Sequence, residues 1–102
     1  MNKVFLSGIV AEEPKLTPSD GTFKHADLVI SIRHKTVDGS TKKELYPIHC
    51  WNGLAEGAMQ NIARGQLITV EGYLTRRTGV EVTAREIVAG ELLKARQSVA
   101  EG

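Results

Sequence analysis

Apolar side chains recur at every second position through most of this chain, and at intervals of three and four in one stretch only. From Val4 to Val10, Val4, Leu6, Gly8 and Val10 share one face and Phe5, Ser7 and Ile9 the other, the period of a strand. Glu12-Glu13 and Pro14 break that strand, and Pro18-Ser19-Asp20-Gly21 supplies the residue types of a tight turn. Alternation resumes from Thr22 to His34, with Ala26, Leu28, Ile30 and Ile32 opposed to Asp27, Val29, Ser31 and Arg33. Asp38-Gly39 predicts a hairpin, and a third strand runs from Glu44 to Trp51, where Pro47 calls for an edge or a bulge. Leu54, Ala58, Met59 and Ile62 fall at helical spacing, so a helix of two or three turns is expected from Leu54 to Ala63, capped by Gly65. From Gln66 to Arg77 the strand period returns, Ile68, Val70, Gly72 and Leu74 inward and Thr69, Glu71, Tyr73 and Thr75 outward, with Gly72 predicting a bulge or bend. After Thr78-Gly79, Val80 to Leu93 forms the fifth strand, and the polar residues 94–102 read as a frayed tail.

Composition narrows the class of molecule. The chain has 102 residues, enough for one domain, 1–93, that buries about two-thirds of its unfolded surface without disulfide or metal. A two-domain enzyme is excluded on length. No apolar run approaches the roughly 20 residues of a membrane helix and no signal-peptide pattern opens the chain, so a cytoplasmic, nucleoid-associated location and no membrane partner are expected. Cys50 is the only cysteine, and with three scattered histidines it forms no zinc-ligand spacing; neither a metal nor another cofactor is expected. Nor is there a phosphate-binding glycine loop, a nucleophile elbow or any small-molecule catalytic motif. His49 and Cys50 are neighbours on a strand, where side chains point to opposite faces, so they make no nucleophilic pair; the expectation is a buried thiol beside an exposed histidine. No catalytic residue is assigned and the chain is read as a non-enzyme.

Charge becomes informative only locally. With 13 Lys+Arg against 12 Asp+Glu the net charge is +1, which argues against a uniformly basic coat but leaves room for patches. Arg33, His34 and Lys35 precede the Asp38-Gly39 turn and Lys42 and Lys43 follow it, so both arms of one ribbon are basic; Arg76 and Arg77 end the fourth strand beside another hairpin. Such cations either neutralise phosphates or are ordinary solvated lysines and arginines. Trp51 either stacks on a base or packs under the helix. Tyr46 shares its strand face with Ile48 and Cys50, at a core or subunit contact if it does not touch a base, and Tyr73 is a base contact or a subunit contact.

Three strands, a short helix and two strands describe an all-β domain with one short helix, the pattern of the five-stranded Greek-key OB-fold barrel, although strand order alone fits other small barrels. Four stretches narrow this. Asn2-Lys3-Val4-Phe5-Leu6-Ser7-Gly8, Trp51-Asn52-Gly53-Leu54-Ala55-Glu56, Arg64-Gly65 with Val70-Glu71-Gly72-Tyr73-Leu74-Thr75-Arg76, and Glu86-Ile87-Val88-Ala89 together resemble the bacterial single-stranded DNA-binding protein family, in order and from residue 2 to about 92. The resemblance implies sequence-independent binding of single-stranded DNA in replication, recombination or repair, with basic hairpins on phosphates and Trp51 under a base. It also implies a homo-oligomer, dimer or tetramer, joined through the first strand.

Two departures qualify the resemblance. The family's other tryptophan positions are not matched, and only Phe5, Phe23, Tyr46, Trp51 and Tyr73 are aromatic. Since stacking contributes about 1–3 kcal/mol per base, weaker binding with more reliance on charge is expected. The family's Gly/Pro/Gln-rich segment and acidic tip are also unmatched, which makes recruitment through such a tip an unfavoured expectation. A short relative of that kind resembles the primosomal replication protein N, an adaptor in replication restart that binds single-stranded DNA together with a helicase or loader partner.

Overall fold

The alternating segments become β1 (Val4–Thr17), β2 (His25–Lys35), β3 (Thr41–Trp51), β4 (Gln66–Arg76) and β5 (Val80–Leu92), and the helical one α1 (Asn52–Asn61). This is a computed structural model that describes residues 1–17, 23–76 and 79–92, the side chains of Arg76, Glu91 and Leu92 excepted. The expected turn at 18–21, Arg77, Thr78 and the tail 94–102 lie outside the described residues. The strands close into a barrel in the order β1-β2-β3-β5-β4. β3 and β5 run parallel at Ile48–Val82 and His49–Thr83, and the other pairs are antiparallel. That is the OB-fold expected from the element order.

Closure depends on β1, which pairs with β4 through Val4–Ile9 and with β2 through Ile9–Thr17. The strand therefore does not stop at Glu12-Glu13-Pro14. Register shifts between Val10 and Glu12 and between Glu12 and Lys15 take up the irregular residues, so Pro14 sits where the ladder is already interrupted and no regular N–H bond is lost. At the other end Asn2 extends the ladder with its side chain: its Nδ2 donates to the Leu74 carbonyl (2.9 Å) and its Oδ1 accepts from the Leu74 amide (2.8 Å).

Inward-facing Val10, Ala26, Leu28, Ile30, Ile48, Cys50, Ile68, Val70 and Val82 form the core, and Ala55 and Ala58 of α1 join it. Leu74 departs from the expected inward set: it is 47% exposed, because β4 has by then run past the barrel rim. Gly72 does sit at a bulge, with the β4–β5 register shifting between Glu71 and Gly72. A Cβ there would lie 2.1 Å from the Thr83 carbonyl oxygen, so only glycine allows the strands this close. α1 begins and ends two residues earlier than its apolar spacing predicts, and Gly65 is not its cap. The helix stops at Asn61, with the Ile62 amide still donating to Ala58 O; Gly65, at φ 89°, turns the chain into β4 and donates to Val10 O at 2.9 Å. Among the described residues no helix is long and apolar enough to cross a membrane.

Candidate nucleic-acid interface

The register of β2 and β3 divides the sequence candidates between two faces. His25 lies opposite Trp51, Asp27 opposite His49, Ser31 opposite Leu45 and Arg33 opposite Lys43. Because side chains alternate, all of these, with Lys35, project to the outside of the barrel. His34, opposite Lys42, and Tyr46, opposite Ile30, project to the core side. Past the rim that side is solvent, so His34 and Lys42 are exposed, whereas Tyr46 packs against the core cluster.

Trp51 is held at one end of the outer face. Its ring stacks on His25, with centroids 4.1 Å apart and planes 8° from parallel, and the residue stays 37% exposed. The backbone fixes this position from the next residue on. Asn52 adopts φ 52°, a left-handed conformation asparagine tolerates, and turns the chain directly from β3 into α1. Its amide donates to Lys24 O (2.8 Å), and its side-chain oxygen accepts from the Lys24 amide (3.3 Å). The strand-to-helix passage is thereby tied to the residue that precedes His25.

Beneath the indole lies a polar cluster that linear spacing does not reveal. His25 Nε2 and His49 Nδ1 both face Asp27 Oδ1, at 2.9 and 2.6 Å, and lie 3.3 Å from each other. His49 Nε2 pairs with Glu81 Oε1 of β5, and Thr17 Oγ1 donates to Asp27 Oδ2 at 2.9 Å. The sequence places an exposed histidine beside a buried thiol. The thiol is buried as expected, but His49 is only 7% exposed, because β5 brings Glu81 across it. The expectation of scattered histidines also fails for His25 and His49, which strand pairing gathers with an acid in a group able to hold a metal ion. Burial pushes the Cys50 thiol up to about 12, so it is no nucleophile at neutral pH.

At the far end of the same face the ribbon carries its cations. The hairpin closes as a three-residue loop, Gly39 N–H donating to Thr36 O at 3.0 Å with Gly39 at φ 87°, and Thr36 N–H to Ser40 O at 2.8 Å. Asp38, the acid within the ribbon tip, is engaged in this turn: its Oδ1 accepts from the Ser40 amide (3.0 Å), the Ser40 hydroxyl (2.7 Å) and the Thr36 hydroxyl. Those hydroxyls hold its carboxyl down at about 2. Glu44 is engaged on the core side, where the Tyr46 hydroxyl (2.6 Å) and His34 (3.1 Å) hold it below the usual carboxylate range. Glu44 projects to the opposite side of β3 from Lys43, and Arg33 and Lys43 line a groove of about 400 Å3 together with Ser7 and Ser31.

Tyr73 lies elsewhere. It belongs to the outer side of β4, where the Arg85 guanidinium sits 4.8 Å from its ring centroid and within 4.0 Å of Glu71. Phe5, Leu67 and Val88 are exposed on that side, beside the hydrogen-bonded hydroxyls of Ser7 and Thr69. The side chain of Arg76 and all of Arg77 lie outside the described residues. Trp51, Arg33, Lys35 and Lys43 are thus brought to one surface, His34 and Lys42 to the reverse of the same ribbon with Tyr46 packed on that side against the core, and Tyr73 to the outside of β4. His25, which backs the indole, was missed: its role depends on being opposite Trp51, a relation set by register.

Comparison with known proteins agrees with this geometry. The model of the single-strand binding protein family matches residues 1–94. A single-stranded DNA-binding protein of Clostridium tetani is 28% identical over 99 residues, covering 90% of this chain and 68% of its own length. Single-stranded DNA-binding protein 3 of Clostridium acetobutylicum is 30% identical over 99 residues, covering 90% and 69%. Among solved structures, the single-stranded DNA-binding protein of Thermus aquaticus superposes with a TM-score of 0.77 at 25% identity, over 89% of this chain and 50% of that one. Element order, barrel closure and a family match over nearly the whole described chain converge, and the chain belongs to the single-strand binding protein family.

Proposed function

We propose that this domain binds single-stranded DNA without sequence preference and without catalysis, along the outer face of β2 and β3. The observation that carries the reading is the shared face: Trp51 at one end and Arg33, Lys35 and Lys43 at the other, in register on one strand pair. The indole is backed by His25 and solvent-accessible, the arrangement a base needs for stacking. The cations begin about 27 Å from it along the strand, at Lys43 and its partner Arg33. Stacking reads every base alike and phosphates carry no sequence, so the surface tolerates any strand. Lys42 supplies further charge, and His34 a further polar group, to a strand that wraps the ribbon tip. The binding serves replication, recombination or repair at the nucleoid, the roles general to the family.

The same reading includes self-association through β1. Val4–Gly8 pairs with β4 on one side only, since pairing with β2 begins at Ile9, and exposed Phe5 lies on that segment. An open strand edge beside exposed apolar side chains suits a second copy of the chain. A helicase or loader enters only as a further ligand, and no described surface is assigned to it.

The test is the salt dependence of oligo(dT) binding, followed by anisotropy of a labelled strand between about 50 and 200 mM salt. Each phosphate neutralised on a single strand contributes about −0.7 to the log–log slope, so Arg33→Ala with Lys43→Ala reduces the slope by about 1.4. An unchanged slope removes the outer face from the binding path.

A further inference from the structure

We propose that His25, Asp27 and His49 form a binding site for a divalent transition-metal ion of the zinc class, on the outer face of the barrel beneath Trp51. Three donor atoms converge there, His25 Nε2, Asp27 Oδ1 and His49 Nδ1, at mutual distances of 2.9, 2.6 and 3.3 Å. A tetrahedral ion with bonds of about 2.0–2.1 Å holds its ligand atoms about 3.3 Å apart. The edge between the two histidines already has that length. The two edges to the carboxylate are shorter by less than about 0.8 Å, an opening that Asp27, the half-exposed member, supplies by a small rotation.

Each ligand is also oriented from behind, which distinguishes a built site from a chance meeting of polar groups. Glu81 takes the second nitrogen of His49, so a metal on Nδ1 leaves the remaining ring proton on Nε2, donating to a carboxylate. This is the carboxylate–histidine–metal relay that fixes tautomer and ring direction at metal centres. Thr17 holds Asp27 Oδ2, leaving Oδ1 for the ion. Trp51 lies flat on His25 and fixes its plane. The three ligands and Glu81 come from β2, β3 and β5, all secured by barrel closure, so the arrangement is formed before any ion arrives.

The donor set selects the ion. Two imidazoles and one carboxylate suit zinc and its first-row neighbours; calcium and magnesium require more oxygen ligands, and copper(I) requires sulfur. His25 and His49 are buried while the Asp27 side chain is 40% exposed, so the ion enters and completes its shell with water from the aspartate side. Bound there, it ties β2 to β3 directly under the indole and sets the height and rigidity of the stacking platform. The site stands on its own donor geometry and does not depend on DNA binding.

The experiment uses the full chain, stripped with a chelator, and zinc alone. Equilibrium dialysis with elemental analysis is expected to give about one zinc per chain. Asp27→Asn and Glu81→Gln, both nearly isosteric, are expected to weaken binding by about 10–100-fold each, the usual cost of losing an orienting partner and a lower bound for losing a ligand. Zinc addition should also shift Trp51 emission through the stacked His25, and that shift should vanish in Asp27→Asn. Far-ultraviolet circular dichroism confirms that both variants keep the barrel. Failure of the natural chain to retain zinc would overturn the site, as would equal retention by both variants, which would place the ion elsewhere.

Discussion

The two outer surfaces of this barrel are made from the same strand geometry and differ in the large side chains they expose. Outside β2 and β3 the alternate positions hold Trp51, two histidines, an aspartate and the cations Arg33, Lys35 and Lys43. Outside β1, β4 and β5 they hold Phe5, Leu67 and Val88 among Ser7, Thr69, Glu71 and Glu86, with Arg85 over the Tyr73 ring. The core does not distinguish them, since both present the same inward stripe of Val, Ile and Leu. The two faces therefore differ at the positions that packing leaves unconstrained, and the proposed function assigns the first to nucleic acid and the second to a second copy of the chain.

The largest effect should come from the scaffold both surfaces share. Gly72→Val places side-chain carbon against the Thr83 carbonyl, which a Cβ already meets at 2.1 Å, and is expected to cost more than about 3 kcal/mol and unfold the domain in thermal melts. The substitutions that separate the surfaces follow. Trp51→Ala should weaken oligo(dT) binding by about 1–3 kcal/mol, some 5- to 150-fold, with solution mass unchanged. Phe5→Asp should do the reverse, lowering solution mass in sedimentation while affinity per barrel for a short oligonucleotide stays within about threefold; burial of a phenylalanine contributes about 1.5–3 kcal/mol to an apolar contact. If both substitutions moved both readouts equally, the division of labour between the surfaces would be wrong.

The smallest effect concerns the ribbon tip. Asp38 has its carboxyl lowered from 3.8 to about 2 by the Thr36 and Ser40 hydroxyls, so its contribution to the turn is complete above about pH 4 and is lost as pH falls through about 2. The Ser40 amide resonance should follow that midpoint in an NMR titration and stay flat from pH 5 to 8, the range in which binding is measured.

Much of this architecture is legible in the alternation of side chains. The inward faces of β2 and β3, the helix between β3 and β4, and the bulge at Gly72 all follow from local patterning, because a buried stripe and a close strand contact each demand particular residue types. Where local rules and closure compete, closure prevails. Pro14 ends a strand by local rules, but β1 must reach both β4 and β2, and register shifts carry it through. Leu74 alternates inward yet is exposed, since alternation does not say where a barrel rim lies. The site divides likewise. Trp51 and the basic ribbon stand out as residue types, and the turn chemistry that frees the ribbon from Asp38 is local. His25, Asp27, His49 and Glu81 are separated by 22 or more residues between their strand groups, and only pairing makes them neighbours.

Intrinsic fluorescence of Trp51, the sole tryptophan, offers the most direct measurement, because its ring is the only indole that a bound strand can report through. Titrated with oligo(dT) of increasing length, its emission should be quenched once the strand covers a site of about 4–16 nucleotides, with affinity that falls as salt is raised. Unchanged emission at low salt, while the same oligonucleotide is retained by the protein, would contradict the placement of DNA on the β2–β3 face. Unchanged emission with no oligonucleotide retained would contradict single-stranded DNA binding itself.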